Sequence, residues 1–162
     1  MLTRRAVDPG HVTALGALQV RPDQRDLVSA NVLTLAEVPV EPGGHVWGLW
    51  SGGVPIGLMA MIEPAQVRHG GPYHDPWAAY LWRLMIAADH QGRGYGASAI
   101  GMAIATAHDW RAPRLLLGVS DAPHSYRGFY ERFGFRDTGL VEQQDRLMVL
   151  DLADTPQHLV TE

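Results

Sequence analysis

The sequence predicts an α/β (α+β) fold in which a mixed sheet carries helices on its faces. Strand-like and helix-like patterns follow one another in the order strand, two helices, two or three strands, helix, strand, helix and strand pair. Hydrophobic residues make up 46% of the chain and charged residues 19%, which is enough for a substantial core. No repeat, low-complexity segment or linker interrupts the sequence, so we expect one domain over residues 1–162.

The first half of the chain predicts a strand, two helices and a hairpin. Leu2–Val7 is a strand candidate, and Asp8–Pro9 is typical of a helix start, with an N-cap residue followed by proline. A second helix is predicted over Arg21–Val38. Its shared face carries Leu27, Asn31 and Leu35. The Ser51–Gly53 turn lies between two apolar runs and predicts an antiparallel hairpin.

The second half predicts a strand, a helix, a strand, a helix and a closing hairpin. The corresponding ranges are 78–87, 97–110, 114–121, 125–133 and the pair 134–141 with 146–152. The helix from Ala97 carries no charge before Asp109, so we expect it to be packed on most of its circumference.

Composition excludes several classes of function. The chain has no cysteine, which rules out disulfides, thiolate–metal sites and a cysteine nucleophile. Its formal net charge of -4 disfavours nucleic acid as a partner and suits a cationic substrate. The N-terminus lacks the apolar core of a signal peptide, and Val46–Ile62 is short for a membrane span. We therefore expect a cytoplasmic protein.

A glycine-rich stretch, QGRGYG at Gln91–Gly96, lies between a predicted strand and a predicted helix. Glycines at a helix N-terminus let free backbone N–H groups approach an anion closely, and Arg93 adds a positive charge. The alternative is a tight turn whose glycines serve backbone angles alone. A dinucleotide fingerprint could use Ala99 in its third glycine position, but it should open a βαβ unit. A triphosphate loop needs Gly-Lys-Ser/Thr, which this chain lacks.

A second motif, FYERFGF at Phe129–Phe135, predicts a helix that ends at Gly134. Tyr130 lies on this helix. An isolated helical tyrosine is more often packed in a core than catalytic, so the motif acquires meaning only beside the glycine-rich stretch.

Together the two motifs and the element order resemble the GNAT acetyltransferase superfamily over nearly the whole chain. The residues that fill the family's acetyl-CoA signature are Gln91, Gly94 and Gly96. The residues that fill its second motif are Phe129, Tyr130, Glu131, Gly134 and Phe135. A narrower likeness is to the spermine/spermidine (diamine) acetyltransferase branch. The segments that carry it are Val20–Val38, Val54–Ile62, Trp82–Ile86 and the glycine-rich stretch.

The resemblance implies a mostly antiparallel sheet and acetyl-CoA as co-substrate. Backbone N–H groups of Gly92–Ala97 would hold the CoA pyrophosphate, and a strand segment would pair with the pantetheine arm. The implied cofactor-binding residues are Leu84, Met85, Ile86, Gln91, Gly92, Arg93, Gly94, Tyr95, Gly96 and Ala97. Tyr130 would lie near the CoA sulfur and protonate the leaving thiolate as general acid. No covalent enzyme intermediate is needed, which fits a chain without cysteine.

Three positions depart from the family pattern. Pro123 stands where many relatives have an asparagine that contacts CoA, and Trp82 stands where some have a catalytic glutamate. Ala87 stands where the narrower branch often has an acid. The resemblance therefore covers the cofactor half of the site and leaves the base and the amine-binding half open.

The acceptor side depends on single residues. An alkylammonium group has a pKa of about 10 and must lose a proton before it attacks. Candidate bases and substrate-binding residues are Glu37, Glu63, Trp82 and His124. Aromatic residues that could line an amine pocket by cation–π contact are Trp47, Trp50, Tyr80 and Trp82. The alternative for the charged residues is a solvated surface, and for the aromatic residues it is the core.

Histidines in the loop after residue 63 raise the question of a metal site. The side chains of interest are His69, His74 and Asp75. They show no recognised ligand spacing in a loop rich in glycine and proline, so we expect no metal.

The predicted function is an acetyl-CoA-dependent N-acetyltransferase in which a small primary amine attacks directly, with a polyamine as the favoured acceptor. One alternative is another acceptor: an amino-sugar antibiotic, an amino acid or a protein N-terminus. A second is a non-catalytic acyl-CoA-binding module. The expected partner is the small-molecule amine, with no nucleic acid and no membrane, and a homodimer is an open alternative to a monomer.

Overall fold

The computed structural model describes residues 1–64 and 75–152, which build one seven-stranded sheet. Its strands are β1 Leu2–Ala6, β2 Gly44–Ser51, β3 Val54–Ile62, β4 Ala79–Ile86, β5 Arg114–Ser120, β6 Arg136–Glu142 and β7 Asp145–Asp151. They lie in the order β1-β2-β3-β4-β5-β7-β6, and every neighbouring pair is antiparallel except β4 with β5. The predicted fold class, a mixed and mostly antiparallel sheet, is confirmed.

Helices cover both faces of this sheet. In the described part of the chain they are α1 Val12–Gly16, α2 Asn31–Glu37, α3 Tyr95–Asp109 and α4 Arg127–Glu131. Ile100 of α3 is buried in the same cluster as Met59 of β3. Leu15 of α1 is buried with the preceding residue of that strand, Leu58. Because successive strand residues point to opposite faces, α3 and α1 lie on opposite sides of the sheet.

The apolar helix α3 is enclosed as the sequence predicts. Residues 99–108 are all buried or partly buried, and Ala99, Ile100 and Ala103 have no exposed surface. Burial of a stripe this wide is what stabilises a helix with few polar residues. Within the described residues, no helix is both long and apolar enough to cross a membrane.

The β2–β3 hairpin turns at Gly52 and Gly53, as predicted. Their φ angles are +56° and +82°, and Ser51 pairs directly with Val54. A two-residue hairpin turn with positive φ at both positions strongly favours glycine at each. This hairpin fixes the position of β3, which pairs with β4 along its other edge.

The predicted helical boundaries in the first forty residues are wrong at two places. Asp8–Pro9 forms a turn in which the Asp8 carboxylate accepts a hydrogen bond from the His11 N–H at 3.1 Å, and α1 begins only at Val12. The stretch predicted as one helix over Arg21–Val38 contains a single 3₁₀ turn, Pro22–Gln24, before α2 begins at Asn31.

Tertiary hydrogen bonds explain the second error. The Gln24 side chain bonds to Gln91 and Tyr126, far along the chain, while the Asn31 amide donates to the Leu15 carbonyl at 2.8 Å. Ala30 is extended, with ψ 143°. Leu27 therefore lies outside α2 and does not share a helical face with Asn31 and Leu35.

Candidate functional site

The site forms where β4 and β5 separate. These parallel strands are paired only between Ala79–Leu81 and Leu115–Leu117. Beyond that point Leu84–Ile86 stays paired with β3 on its outer side, and Gly118–Ser120 stays paired with β7. Within the described ranges no strand lies between their facing edges, which leaves a wedge in the sheet.

A bulge at Trp82 helps to open this wedge. Ala60 of β3 pairs with Arg83, whereas the next residue, Met61, pairs with Leu81, so Trp82 is the extra residue of β4. A bulge bends its strand and increases the local twist. The sequence carries no local sign of the bulge because Trp82 lies within a continuous strand-like run.

One cavity, here called the loop cavity, fills the wedge on the side of the glycine-rich stretch and has a volume of about 640 Å³. Its lining includes nine of the ten residues expected to bind the cofactor: Leu84, Met85, Ile86, Gln91, Gly92, Gly94, Tyr95, Gly96 and Ala97. Arg93, the tenth, is exposed and does not line the cavity. The structure therefore brings strand and loop together around one space.

The start of α3 presents backbone N–H groups to this cavity. Gly94 is the N-cap residue with φ +80°, no side chain of the described residues caps the helix, and its first turn contains no acidic residue. The first helical N–H groups have no intrahelical acceptor, and the helix dipole adds partial positive charge. Gly96 serves packing as well, because a Cβ there would lie 3.3 Å from the Phe129 ring. This arrangement suits an anion such as a pyrophosphate.

Gln91 shapes the loop through hydrogen bonds within the protein. Its Nε2 donates to the Ile86 carbonyl at 2.9 Å and to Gln24 Oε1 at 2.8 Å. Gln24 Nε2 donates in return to Gln91 Oε1 at 3.1 Å and also to the Tyr126 hydroxyl. Only 4% of Gln24 is exposed. Sequence reasoning missed Gln24, since a glutamine in a polar, helix-like stretch carries no local signal of a partner 67 residues away.

Tyr130 of α4 lines the loop cavity and belongs to a cluster of aromatic side chains. Its ring makes edge contacts with Phe129 at 5.1 Å and Phe135 at 6.0 Å between centroids. Burial, with a smaller contribution from Tyr126, raises the pKa of the Tyr130 phenol to about 12. The hydroxyl is therefore protonated at neutral pH, and it has no hydrogen-bond partner among residues 1–64 and 75–152.

A second cavity of about 620 Å³, here called the hairpin cavity, lies next to the β6–β7 turn. The residues that line both cavities are Leu27, Val28, Leu84, Gly118 and Tyr130. Four described residues of the hairpin cavity are acidic, namely Glu37, Glu41, Glu142 and Asp145, whereas one, Arg83, is basic. The two spaces meet at Tyr130, and the second has a negative charge balance.

A match to a known family decides how these cavities are to be interpreted. The sequence model of the acetyltransferase (GNAT) family matches residues 19–135. The chain belongs to this family. The match confirms the resemblance at the level of the superfamily and makes the protein an acetyl-CoA-dependent N-acetyltransferase.

Solved acetyltransferases share the fold. One from Thermus thermophilus is 24% identical, with a TM-score of 0.73 over 93% of this chain and 97% of its own. An aminoglycoside acetyltransferase in complex with coenzyme A is 17% identical, with a TM-score of 0.74 over 93% and 95%. A GNAT family acetyltransferase from Elizabethkingia anophelis with acetyl-CoA bound is 15% identical, with a TM-score of 0.64 over 93% and 98%. No curated protein matches the sequence. At these identities the likeness shows the fold alone.

The candidate acceptor residues of the acetyltransferase are spread over different places. Glu37 lines the hairpin cavity and forms an ion pair with Arg83 at 2.8 Å, and Trp82 lines the same cavity beneath the Arg83 guanidinium. Glu63 lies outside the lining of both cavities and pairs with His45 at 2.8 Å. His124 is exposed and pairs with Asp26 at 3.1 Å, also outside both linings. All three candidate bases therefore already have a charged or titratable partner.

Of the four aromatic residues considered for the amine pocket, two line a cavity and two do not. Tyr80 and Trp82 line the hairpin cavity. Trp47 stacks on His45 at 5.6 Å between ring centroids, and Trp50 contacts His11 at 4.7 Å. These two pack against the sheet away from both cavities.

Of the three residues considered for a metal site, His69 and His74 lie outside the described ranges. Asp75 is described, and its carboxylate pairs with Arg114 at 2.6 Å. It thus serves as an anchor to the start of β5.

Proposed function

We propose that the protein transfers an acetyl group from acetyl-CoA in the loop cavity directly to a primary amine in the hairpin cavity, and that the amine is a polyamine. The observation that carries this proposal is the meeting of the two cavities at Tyr130. Two substrates that react with each other need adjoining sites that hold their reacting atoms in contact.

The loop cavity fits acetyl-CoA on two grounds. The uncapped N-terminus of α3 offers N–H groups to a pyrophosphate, and Gly92 and Gly94 hold positive φ angles in the loop that leads to it. Among the described residues the inner edge of Leu84–Ile86 has no strand partner, and apart from the Ile86 carbonyl, which accepts from Gln91, it offers backbone groups to the amides of a pantetheine arm. Bound acetyl-CoA would supply the thioester carbon that the amine attacks.

Tyr130 is the proposed general acid. Tyr130 lines both cavities, and its hydroxyl keeps its proton at neutral pH, because burial raises its pKa to about 12. With no protein acceptor for that proton among the described residues, the O–H remains available to the sulfur that departs as the acetyl group is transferred.

The charge balance of the hairpin cavity supports a cationic acceptor. A polyamine is a chain of ammonium groups separated by methylenes, so it needs carboxylates for its charges and apolar or aromatic faces between them. Glu41 and Glu142 add negative charge to the cavity, and Tyr80 with Trp82 supplies aromatic faces. Glu37 contributes to this field while it is paired with Arg83.

An amino-sugar antibiotic is the second candidate acceptor. It too carries several ammonium groups, so the acidic hairpin cavity suits it for the same electrostatic reason. One of the proteins with this fold is an aminoglycoside acetyltransferase. The rigid rings of such an acceptor distinguish it from a flexible polyamine.

A thiol-release assay with a panel of acceptors tests the proposal. The panel contains spermidine, an aminoglycoside, a short monoamine, an amino acid and a peptide with a free N-terminus. We expect the highest kcat/KM for spermidine, with a KM that rises with salt because screening weakens its attraction to the carboxylates. A preference for the aminoglycoside would support the second candidate. Binding of acetyl-CoA without thiol release on any amine would identify a non-catalytic acyl-CoA-binding module.

A further inference from the structure

Asp145 differs from Glu37 and Glu63, the two carboxylates predicted as candidate bases, which each already have a partner. It opens β7 directly after the turn and lines the hairpin cavity. Across residues 1–64 and 75–152, its carboxylate has neither an ion pair nor a hydrogen bond. Glu37, by contrast, already holds Arg83 at 2.8 Å. An ammonium group that approached Glu37 would compete with a guanidinium, whereas Asp145 has no cation to displace.

Gly118 of β5 lies close to this carboxylate and carries no side chain. A Cβ at residue 118 would lie 3.4 Å from Asp145 Oδ2 and 3.2 Å from the Tyr80 hydroxyl. The two oxygens therefore flank the same small region above the Gly118 backbone. Gly118 also lines both cavities, as does Tyr130. The space lies where the acceptor cavity opens toward the acetyl donor.

The electrostatics of this space match a cation. Partial burial raises the pKa of the Asp145 carboxyl, because the charged form loses solvation without gaining a partner. Burial, followed by the charges of Asp145 and Glu142, raises the pKa of the Tyr80 phenol to about 12. Both groups are oxygen ligands in an environment with a negative charge balance, and an ammonium ion would offset it.

The geometry points to Asp145 as the residue that binds the acceptor's ammonium group, with the Tyr80 hydroxyl as its second oxygen ligand and Gly118 adding no side chain between the two oxygens. This inference rests on the proposed function, since it takes the hairpin cavity as the amine site. It identifies Asp145 as the residue that recognises a cationic amine. Asp145 lies outside the range matched by the family model, which ends at residue 135.

The experiment measures amine binding and turnover separately. Binding of spermidine and of the best amine from the panel is measured by calorimetry on the protein saturated with CoA, and steady-state kinetics are measured with acetyl-CoA. The variant is Asp145→Asn, which keeps the shape and removes the charge. The matched control is Asp121→Asn, because Asp121 is an exposed carboxylate outside both linings that pairs with Arg146.

We expect Asp145→Asn to weaken amine binding and raise KM by about tenfold, with little change in kcat, since a hydrogen-bonded charge pair contributes on this scale. Asp121→Asn should leave both nearly unchanged.

An aromatic amine that is uncharged at neutral pH should be insensitive to Asp145→Asn. Gly118→Ala should reproduce the loss with the carboxylate still present, because its Cβ would lie within 3.4 Å of both the Tyr80 hydroxyl and the Asp145 side chain and would displace them. The thermal shift on adding acetyl-CoA should persist in every variant, which excludes a fold defect.

Two results would overturn the inference: unchanged amine binding in Asp145→Asn, or an equal loss in Asp121→Asn, which would indicate a general charge effect. Failure of the wild-type protein to bind any amine would overturn it as well. If the wild-type protein binds amines through Asp145 but releases no thiol, the inference stands and the proposed catalytic function fails.

Discussion

The two cavities that meet at Tyr130 are built from different parts of the chain. The loop cavity relies on backbone groups: the N–H groups that open α3, two positive-φ glycines and the inner edge of β4, which pairs with no described strand beyond Leu81. The hairpin cavity relies on side chains from the α2 region, β4, β5 and the β6–β7 hairpin. Backbone geometry binds what all members of a family share, whereas side chains can differ between acceptors. The comparison predicts that substitutions in the two cavities will separate cofactor binding from acceptor choice.

The largest effect should come from Gly94→Asp. The aspartate would have to hold a φ of +80° and would place a carboxylate against the anion site, so acetyl-CoA should no longer raise the thermal midpoint. The control is Gly52→Asp, also at a positive-φ glycine with open space around it but in the β2–β3 turn. Differential scanning fluorimetry with and without acetyl-CoA measures both. If acetyl-CoA raised the thermal midpoint of Gly94→Asp as much as that of the wild-type protein, the pyrophosphate would not bind at this loop.

Tyr130→Phe tests the junction between the cavities. The change removes one hydroxyl and keeps the ring contacts with Phe129 and Phe135. Turnover should fall by a factor on the order of 10², since a general acid contributes on that scale, while the affinity for acetyl-CoA changes little. Steady-state kinetics and calorimetry provide the two measurements. Full activity of the Tyr130→Phe variant would show that the hydroxyl is not the general acid and that the ring serves packing alone.

The Gln24–Gln91 pair tests whether the loop cavity depends on side chains after all. Gln24→Ala should lower the affinity for acetyl-CoA by about tenfold and destabilise the fold by about 1–2 kcal/mol, because it strips hydrogen bonds from a buried network. The double variant with Gln91→Ala should cost less than the sum of the single changes, because the residues bond to each other. Additive effects in urea unfolding would show that the two amides act independently.

The smallest effect concerns alkaline stability. Tyr130 and Tyr80 have pKa values raised to about 12, against 10.0 for an ordinary tyrosine, so the unfolded chain loses these protons first. The free energy of unfolding should therefore be unaffected below pH 10 and fall between pH 10 and 12, by about 1 kcal/mol per tyrosine at pH 11. The sequence contains no lysine, which keeps this pH window clear. Urea unfolding at pH 9 and pH 11 should show half the loss in Tyr130→Phe, and a loss equal to that of the wild-type protein would contradict the assignment.

Sequence reasoning reached the loop cavity because its determinants are local. Gln91, Gly94 and Gly96 lie within six residues, and the strand and helix on either side can be predicted from their apolar patterns. It did not reach the mechanism by which Gln91 acts, because Gln24 belongs to a stretch whose helical pattern is overridden by long-range hydrogen bonds. The bulge at Trp82 was hidden for a related reason, since it depends on the register with β3.

By itself, the sequence determined the fold class and the family, and it predicted nine residues that the structure brings together around the loop cavity. Strand and helix periodicity, the Gly52–Gly53 turn and two short motifs are properties of neighbouring residues, so they survive without a structure. Only the tertiary structure decided which residues line the hairpin cavity proposed for the acceptor. In the structure Glu63 and His124 lie outside both cavities, and Glu37 is paired with Arg83. Asp145 lies against Gly118 and close to Tyr80. Whether a carboxylate is free or paired depends on the strands and helices that fold against it, and no local pattern records those neighbours.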